Sequence, residues 1–224
     1  NRWKNRMKPP SLKYSLAPLA LLAAMLLFCG NARAQYPEPK NDLDKRVLTF
    51  LQNQSGEWKD MNVPVTDGRI LYDLVLEGNY RKALEIGTST GHSAIWIAWA
   101  LSKTGGKLVT IEIDKQRYLQ ALQNFRKAGL SEHIDARLGD AHELVPALAG
   151  NWDFVFCDAD KYWYKNYFTA MEGKLNKGGC FAAHNINTRS PVIREFLRYI
   201  QAHNGFTTGF RTGSRAGISV SYRK

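Results

Sequence analysis

The residues best able to do chemistry fall at four points along the chain. Glu85-Ile-Gly87-Thr-Ser-Thr-Gly91-His-Ser93 sets two glycines four apart with small hydroxyl side chains between them. Such a loop lets a ligand approach the backbone, but it is not GxGxxG and does not by itself specify a pyrophosphate. Glu112 follows 25 positions after Gly87, about where a nucleoside-binding sheet sets a carboxylate on ribose hydroxyls. Gly139-Asp140-Ala141-His142 comes next, where an adenine edge can be held, and Asp158-Ala-Asp-Lys161 then sets a carboxylate and an amine three residues apart. Each has an ordinary reading: Glu112 as a solvated strand end, Asp140 as a helix N-cap, Asp158 with Lys161 as a salt bridge. Their order, one after another at successive strand ends, favours a shared ligand.

That reading requires strands ending at those positions. Strands are expected over 83–87, 107–113, 134–139, 153–158, 179–184, 206–211 and 217–222. Between the first five lie helical patterns over 93–101, 115–128, 141–148 and 162–175, and 191–203 supplies another helix. Upstream, Asn41 or Asp42 can cap a helix bearing Leu43, Val47, Leu48 and Leu51, and a second runs from about Asp67 to Glu77. Strand alternating with helix implies a parallel sheet covered on both faces, with the last two strands an antiparallel pair. A sheet of this kind binds its ligand at the carboxyl ends of its strands.

The chain has 224 residues, 44% hydrophobic and 23% charged, which suits one domain with a full core. With 18 glycines, 8 prolines and 12% aromatics, collagen-like and disordered classes do not fit. Cys29, Cys157 and Cys180 form no CxxC, so neither a disulfide scaffold nor a zinc ribbon is expected. The net charge of +11 is uneven: residues 1–34 hold six basic side chains and no acid, leaving 25 basic against 20 acidic in 35–224. Without a basic stripe there, no nucleic-acid partner is expected.

Positive residues through Lys13, an apolar run of 14 from Leu16 to Cys29, and Ala32-Arg33-Ala34 are the three parts of a secretory signal peptide, with Met7 as its start. The run is shorter than the about 20 residues a spanning helix needs. The expected organisation is a signal at 1–34, cleaved before Gln35 or kept as a membrane anchor on 16–29, and a domain at 35–224. Either way the positive flank stays cytoplasmic and the domain is exported, periplasmic or secreted.

Taken together, Glu85-Ile-Gly-x-x-x-Gly91, Glu112, Gly139-Asp140 and Asp158-Ala-Asp-Lys161 resemble the class I S-adenosylmethionine-dependent O-methyltransferases, specifically the catechol and caffeoyl-CoA group. The likeness spans most of Met61 to Lys224. Asp158-Ala-Asp-Lys161-x-x-Tyr164-x-x-Tyr167 is close to the caffeoyl-CoA signature, and Leu175-Asn-Lys-Gly-Gly179 matches the approach to strand five. The resemblance implies an α/β fold, a Rossmann-like seven-stranded, mostly parallel sheet with helices on both faces. It implies S-adenosylmethionine held by Met61, Val63, Glu85, Gly87, Gly91, Ser93, Glu112, Asp140, Ala141 and Asp158. In it Met61-Asn62-Val63 looks like the lid over the methionine part, and Ser93 matches the serine that holds the cofactor carboxylate.

At the chemical end the resemblance makes Asp158 a ligand of a divalent cation and Lys161 the base that deprotonates the substrate hydroxyl. A metal bound to vicinal oxygens stabilises a phenolate that would otherwise form only near pH 10. The second metal pair, normally Asp-Asn, is His184-Asn185 here. Losing a carboxylate weakens the set for magnesium and tilts it toward manganese or softer ions. Three readings of His184 stay open: metal ligand with Asp158 and Asn185, catalytic base without metal, or structural residue. Only residues 186–190 separate it from the next helix, which suggests an open acceptor pocket, and Tyr162, Trp163 and Tyr164 either stack on an aromatic acceptor or pack the helix.

The expected activity is methyl transfer from S-adenosylmethionine to a hydroxyl of a small, catechol-like phenolic acceptor, assisted by a divalent metal. The expected partners are that small molecule, a second copy of the chain as a homodimer, and a membrane only through an uncleaved N-terminal segment. The alternatives are an exported S-adenosylmethionine- or nucleoside-binding module without catalysis, and a metal-independent enzyme using His184 as base.

Overall fold

Strand β1 (Lys82–Ile86) carries Ala83 on one face and Leu84 and Ile86 on the other, all three inaccessible to solvent. A strand apolar on both sides must lie inside a sheet covered twice, and the computed structural model, which describes residues 36–58, 60–187 and 189–224, has that architecture. The signal expected at 1–34 lies outside the described residues. Strands β2 (Lys107–Glu112), β3 (Ile134–Leu138), β4 (Trp152–Cys157), β5 (Leu175–His184), β6 (Phe206–Arg211) and β7 (Ile218–Arg223) complete a seven-stranded sheet in the order β3-β2-β1-β4-β5-β7-β6. The first five run parallel, and β7 lies antiparallel to both β5 and β6.

Among the described residues seven α-helices divide by face. Helices α1 (Asp42–Asn53), α2 (Val65–Glu77), α3 (His92–Thr104) and α4 (Lys115–Ala128) cover one core, where Trp96, Trp99 and Phe125 meet Phe154 and Phe156 of β4. Helices α5 (Ala141–Ala147), α6 (Tyr164–Glu172) and α7 (Pro191–Ala202) cover the other, where Phe168 and Phe196 meet Val155, Cys157 and Phe181. The two-residue period of β4 thus feeds both layers. Caps follow the sequence: the Asn41, Asp114 and Asp140 side chains accept from the backbone N–H of Asp44, Arg117 and His142.

The chain leaves β1 toward β2 and β3, then returns to β4 on β1's other side, so the order reverses between β1 and β4. A crevice opens at such a reversal, beyond the carboxyl ends. The Asp158 N–H donates to Ile86 O at 2.9 Å, and Gly87, at φ +94°, has room for no side chain, because a Cβ there would sit 2.6 Å from Asp158 O. Glycine is the residue that both the left-handed backbone and this approach require.

Several boundaries differ from expectation, and two of them reshape the start of β5. Helix α6 stops at Glu172 instead of running to residue 175, and β5 begins at Leu175, four residues early. Leu175 pairs with Trp152 before a register shift carries the strand past Gly178, at φ +78°, into regular pairing from Cys180. Gly178, read as part of the approach to the strand, lies within it. Cys157 and Cys180 are free and buried on the neighbouring strands β4 and β5, and burial pushes both thiols above their ordinary range.

Candidate active site

The crevice is a cavity of about 540 Å³. Met61, Gly87, Glu112, Asp140, Ala141, Asp158, Lys161, His184 and Asn185 line it, so the strand-end residues picked from sequence converge. Val63, Glu85, Gly91 and Ser93 are not among the lining residues. They lie behind the wall and shape it.

The glycine loop explains how. Gly91, at φ +97°, begins α3, and a Cβ on it would collide with Phe125, so the loop packs against α4. The Glu85 side chain is fully buried. Desolvation, only partly offset by hydrogen bonds from Ser93 and Thr110, pushes its pKa up to about 8 and keeps it protonated at neutral pH. Ser89, left-handed at φ +50°, donates its N–H to Glu112 Oε2 at 2.7 Å, and the Asp114 N–H donates to Oε1 at 2.9 Å. Glu112 is 6% exposed, so it is a fixed carboxylate at the wall and not a solvated strand end.

Residues 60–63 fold down onto this loop. Asn62 Nδ2 donates to Thr90 Oγ1 at 2.9 Å, and Arg117 Nε donates to Asp60 Oδ2 at 2.7 Å. The His92 Nδ1–H donates to Val63 O at 2.7 Å, while Nε2 accepts from Trp96 Nε1 at 3.1 Å. Met61 remains 69% exposed over the cavity mouth. On the opposite side Asp140 caps α5, and the cavity-lining His142 stacks on Trp163 with ring centres 4.1 Å apart. Trp163 therefore packs against a histidine, Tyr164 is wholly buried, and Tyr162 is 77% exposed.

The charged groups meet at the ends of β4 and β5. Lys161 Nζ donates to Asp158 Oδ1 at 2.6 Å and to Tyr164 Oη at 2.7 Å, and Tyr164 Oη donates to His184 O at 3.1 Å. His184 Nδ1 lies 3.0 Å from Asp158 Oδ2, and Nε2 lies 2.7 Å from Asp67 Oδ2. Burial opposes charge on His184, but the hydrogen bonds the ring donates to Asp158 and Asp67 outweigh it and hold the ring's pKa up to about 9. Burial likewise pushes Asp158 up, and the hydrogen bonds and charges of His184 and Lys161 overcome it, holding Asp158 below the usual carboxylate range.

Asp67 was not singled out from sequence as a site residue. It sits in the first turn of α2, wholly buried, and also accepts from Ser214 Oγ at 2.6 Å. An aspartate in a first helical turn reads as a partner of the helix dipole, and nothing local announces a histidine 117 positions away.

This arrangement does not fit the expected metal set of Asp158, His184 and Asn185. Both ring nitrogens of His184 face carboxylate oxygens and both Asp158 oxygens are engaged, leaving His184 no free lone pair for an ion. Among the described residues no three His, Cys, Asp or Glu side chains are arranged to hold a metal. The same two hydrogen bonds and 3% exposure make His184 a poor free base. A nucleoside with a sulfonium side chain does fit: Glu112 keeps unused lone pairs toward the cavity, and the Gly87 turn is open to close backbone approach.

Residues 40–195 match the family model described as O-methyltransferase. A catechol O-methyltransferase of Niastella koreensis is 34% identical over 139 residues, covering 60% of this chain and 62% of that protein. Caffeoyl-CoA O-methyltransferase 1 of Eucalyptus globulus is 30% identical over 175 residues, 73% of this chain and 68% of its own length. The chain thus spans less than two thirds of the first relative. The structure is similar to that of the Bacillus cereus O-methyltransferase solved in complex with SAH, with TM-score 0.69 and 28% identity over 83% of this chain and 92% of the other.

Proposed function

The chain belongs to the class I S-adenosylmethionine-dependent O-methyltransferase family, and from that premise we propose that it methylates a hydroxyl of a small, catechol-like phenolic acceptor. The observation that carries the reading is one cavity holding the Gly87 turn and Glu112 at one end and the Asp158–Lys161 pair at the other. The names of the two relatives supply the acceptor class. S-adenosylmethionine brings an electrophilic methyl group on a sulfonium centre.

The protein's part is to hold and orient. Glu112 accepts from ribose hydroxyls, the Gly87 turn admits the amino-acid part, and Asp140 with Ala141 borders the adenine. Lys161 is one-third exposed, so it exchanges protons with solvent, and its unprotonated form takes the acceptor's hydroxyl proton. The acceptor oxygen then bonds to the methyl carbon as the carbon–sulfur bond breaks, with positioning supplying much of the rate. Asp158 and Tyr164 hold Lys161 Nζ in place for that step.

Transfer of labelled methyl from S-adenosylmethionine to catechol by the purified protein tests this. Label in the methyl ether is the expected result. Absence of S-adenosylmethionine binding by calorimetry would overturn the reading. The proposal includes export of the domain, read from residues 1–34, and a mature N-terminus at Gln35 in the exported fraction checks it.

A further inference from the structure

Two carboxylates and two cations close on one another at the ends of β4 and β5. Asp158 gives Oδ1 to Lys161 and Oδ2 to His184 Nδ1, while Asp67 Oδ2 takes His184 Nε2 and the Ser214 hydroxyl. A ring whose two nitrogens both face carboxylate oxygens donates from both, so it carries one positive charge and offers no lone pair. The set is electrically balanced. With a carboxylate in place of His184 it would hold three acids against one lysine, a deficit of two that a divalent ion fills. As it stands, an ion binding at Asp158 must displace an N–H donor and then stand beside two cations.

Resting on the methyl-transfer reading above, we infer that this site works without a divalent metal: His184, steered by Asp67, permanently supplies at Asp158 the positive charge that a bound ion would otherwise bring. Asp67 is a positioning residue acting through His184. It is wholly buried and does not line the cavity, so it meets no substrate. The chemistry balances without an ion. Lys161 first passes a proton to solvent; the oxygen–carbon bond then forms as the carbon–sulfur bond breaks, the hydroxyl proton restores the charge on Lys161, and the thioether leaves uncharged.

The test is titration of the full protein with Mn²⁺, by calorimetry and electron paramagnetic resonance, beside a titration with S-adenosylmethionine. The wild type should bind S-adenosylmethionine and take up no Mn²⁺ at the site, and its methyl transfer should change by less than about twofold between chelator and added Mg²⁺ or Mn²⁺. His184→Asp should gain one Mn²⁺ per chain, lost again when Asp158→Asn is added. If His184→Asp fails to fold, the wild-type titration decides alone. One equivalent of Mn²⁺ bound by wild type and lost in Asp158→Asn would overturn the inference. So would a chelator that abolishes transfer restorable by metal. Failure to bind S-adenosylmethionine would instead sink the methyl-transfer reading, and the Mn²⁺ titration would still answer for the metal. For Asp67, Asp67→Asn should remove one of two downfield imidazole N–H resonances and lower kcat about tenfold with KM for S-adenosylmethionine unchanged. Retention of both resonances and full kcat would overturn its positioning role.

Discussion

His184 Nε2 lies 2.7 Å from Oδ2 of Asp67, a carboxylate 117 residues earlier in the chain, and neither side chain is more than 3% exposed. The contact ties the first turn of α2 to the last residue of β5. A buried pair of this kind is costly to break from one side, because the remaining charge stays buried without its partner. Asp67→Asn should therefore lower unfolding free energy by about 3 kcal/mol in urea. In a double-mutant cycle with His184→Gln the two losses should fall short of additivity by about 2 kcal/mol. Additivity within about 0.5 kcal/mol would mean the two side chains do not interact.

Lys161 offers the second prediction. Its Nζ lies at the cavity on a partly exposed side chain and is held by Asp158, Tyr164 and the Ala159 carbonyl. Lys161→Met should lower kcat by about 100- to 10,000-fold while leaving S-adenosylmethionine affinity within about threefold. Arginine should not rescue it, since a guanidinium does not give up its proton. Loss of cofactor affinity equal to the loss of rate would show that Lys161 binds and does not take the proton.

At the other end of the cavity, Glu112 has a narrower role. Two backbone N–H groups fix its oxygens and leave lone pairs toward the crevice. Replacing it by glutamine removes the charge and one acceptor at nearly constant shape. Glu112→Gln should weaken S-adenosylmethionine binding about tenfold or more by calorimetry, and, because its NH2 meets one of the two backbone N–H donors, lower stability by about 1–3 kcal/mol. An unchanged dissociation constant would exclude Glu112 from the ribose.

Much of this was legible in the sequence because it is local. Alternation and apolar runs gave the strands, and strand ends gave Glu112, Asp140 and Asp158, which share one cavity. Where reading failed, the missing information was not local. Residues 175–178 read as the approach to the fifth strand, but they belong to β5, which shifts register against Trp152 and Phe154 in a way that only the paired strand defines. Val63, Glu85, Gly91 and Ser93 carry motif identities and do not line the cavity, because spacing tells which residues meet and not which one faces the space between. The state of His184 depends on Asp67, and no pattern within β5 could have announced it.

The last prediction concerns acid. His92 Nδ1 faces the carbonyl of Val63 and so must carry a proton, whereas Nε2 receives the Trp96 N–H and so must not. The ring is buried, at 1% exposure, against Trp58. Desolvation, opposed only by the Val63 bond, therefore pulls its pKa down to about 4. In the unfolded chain the same ring takes a proton near pH 6.5. Because the folded state binds that proton less well, stability contributed by neutral His92 is full above about pH 6.5 and is lost as pH falls toward 4. The total is on the order of 3 kcal/mol. Other carboxylates also titrate in this range, so the comparison is with His92→Gln, which shares them. Urea midpoints for the two proteins at pH 7, 5 and 4 should converge as the wild type loses its advantage, whereas a constant gap would mean that the ring is not held neutral. The same loss should loosen residues 60–63 over the cavity, since Val63 is tied through this ring, and should appear as faster amide exchange there before global unfolding.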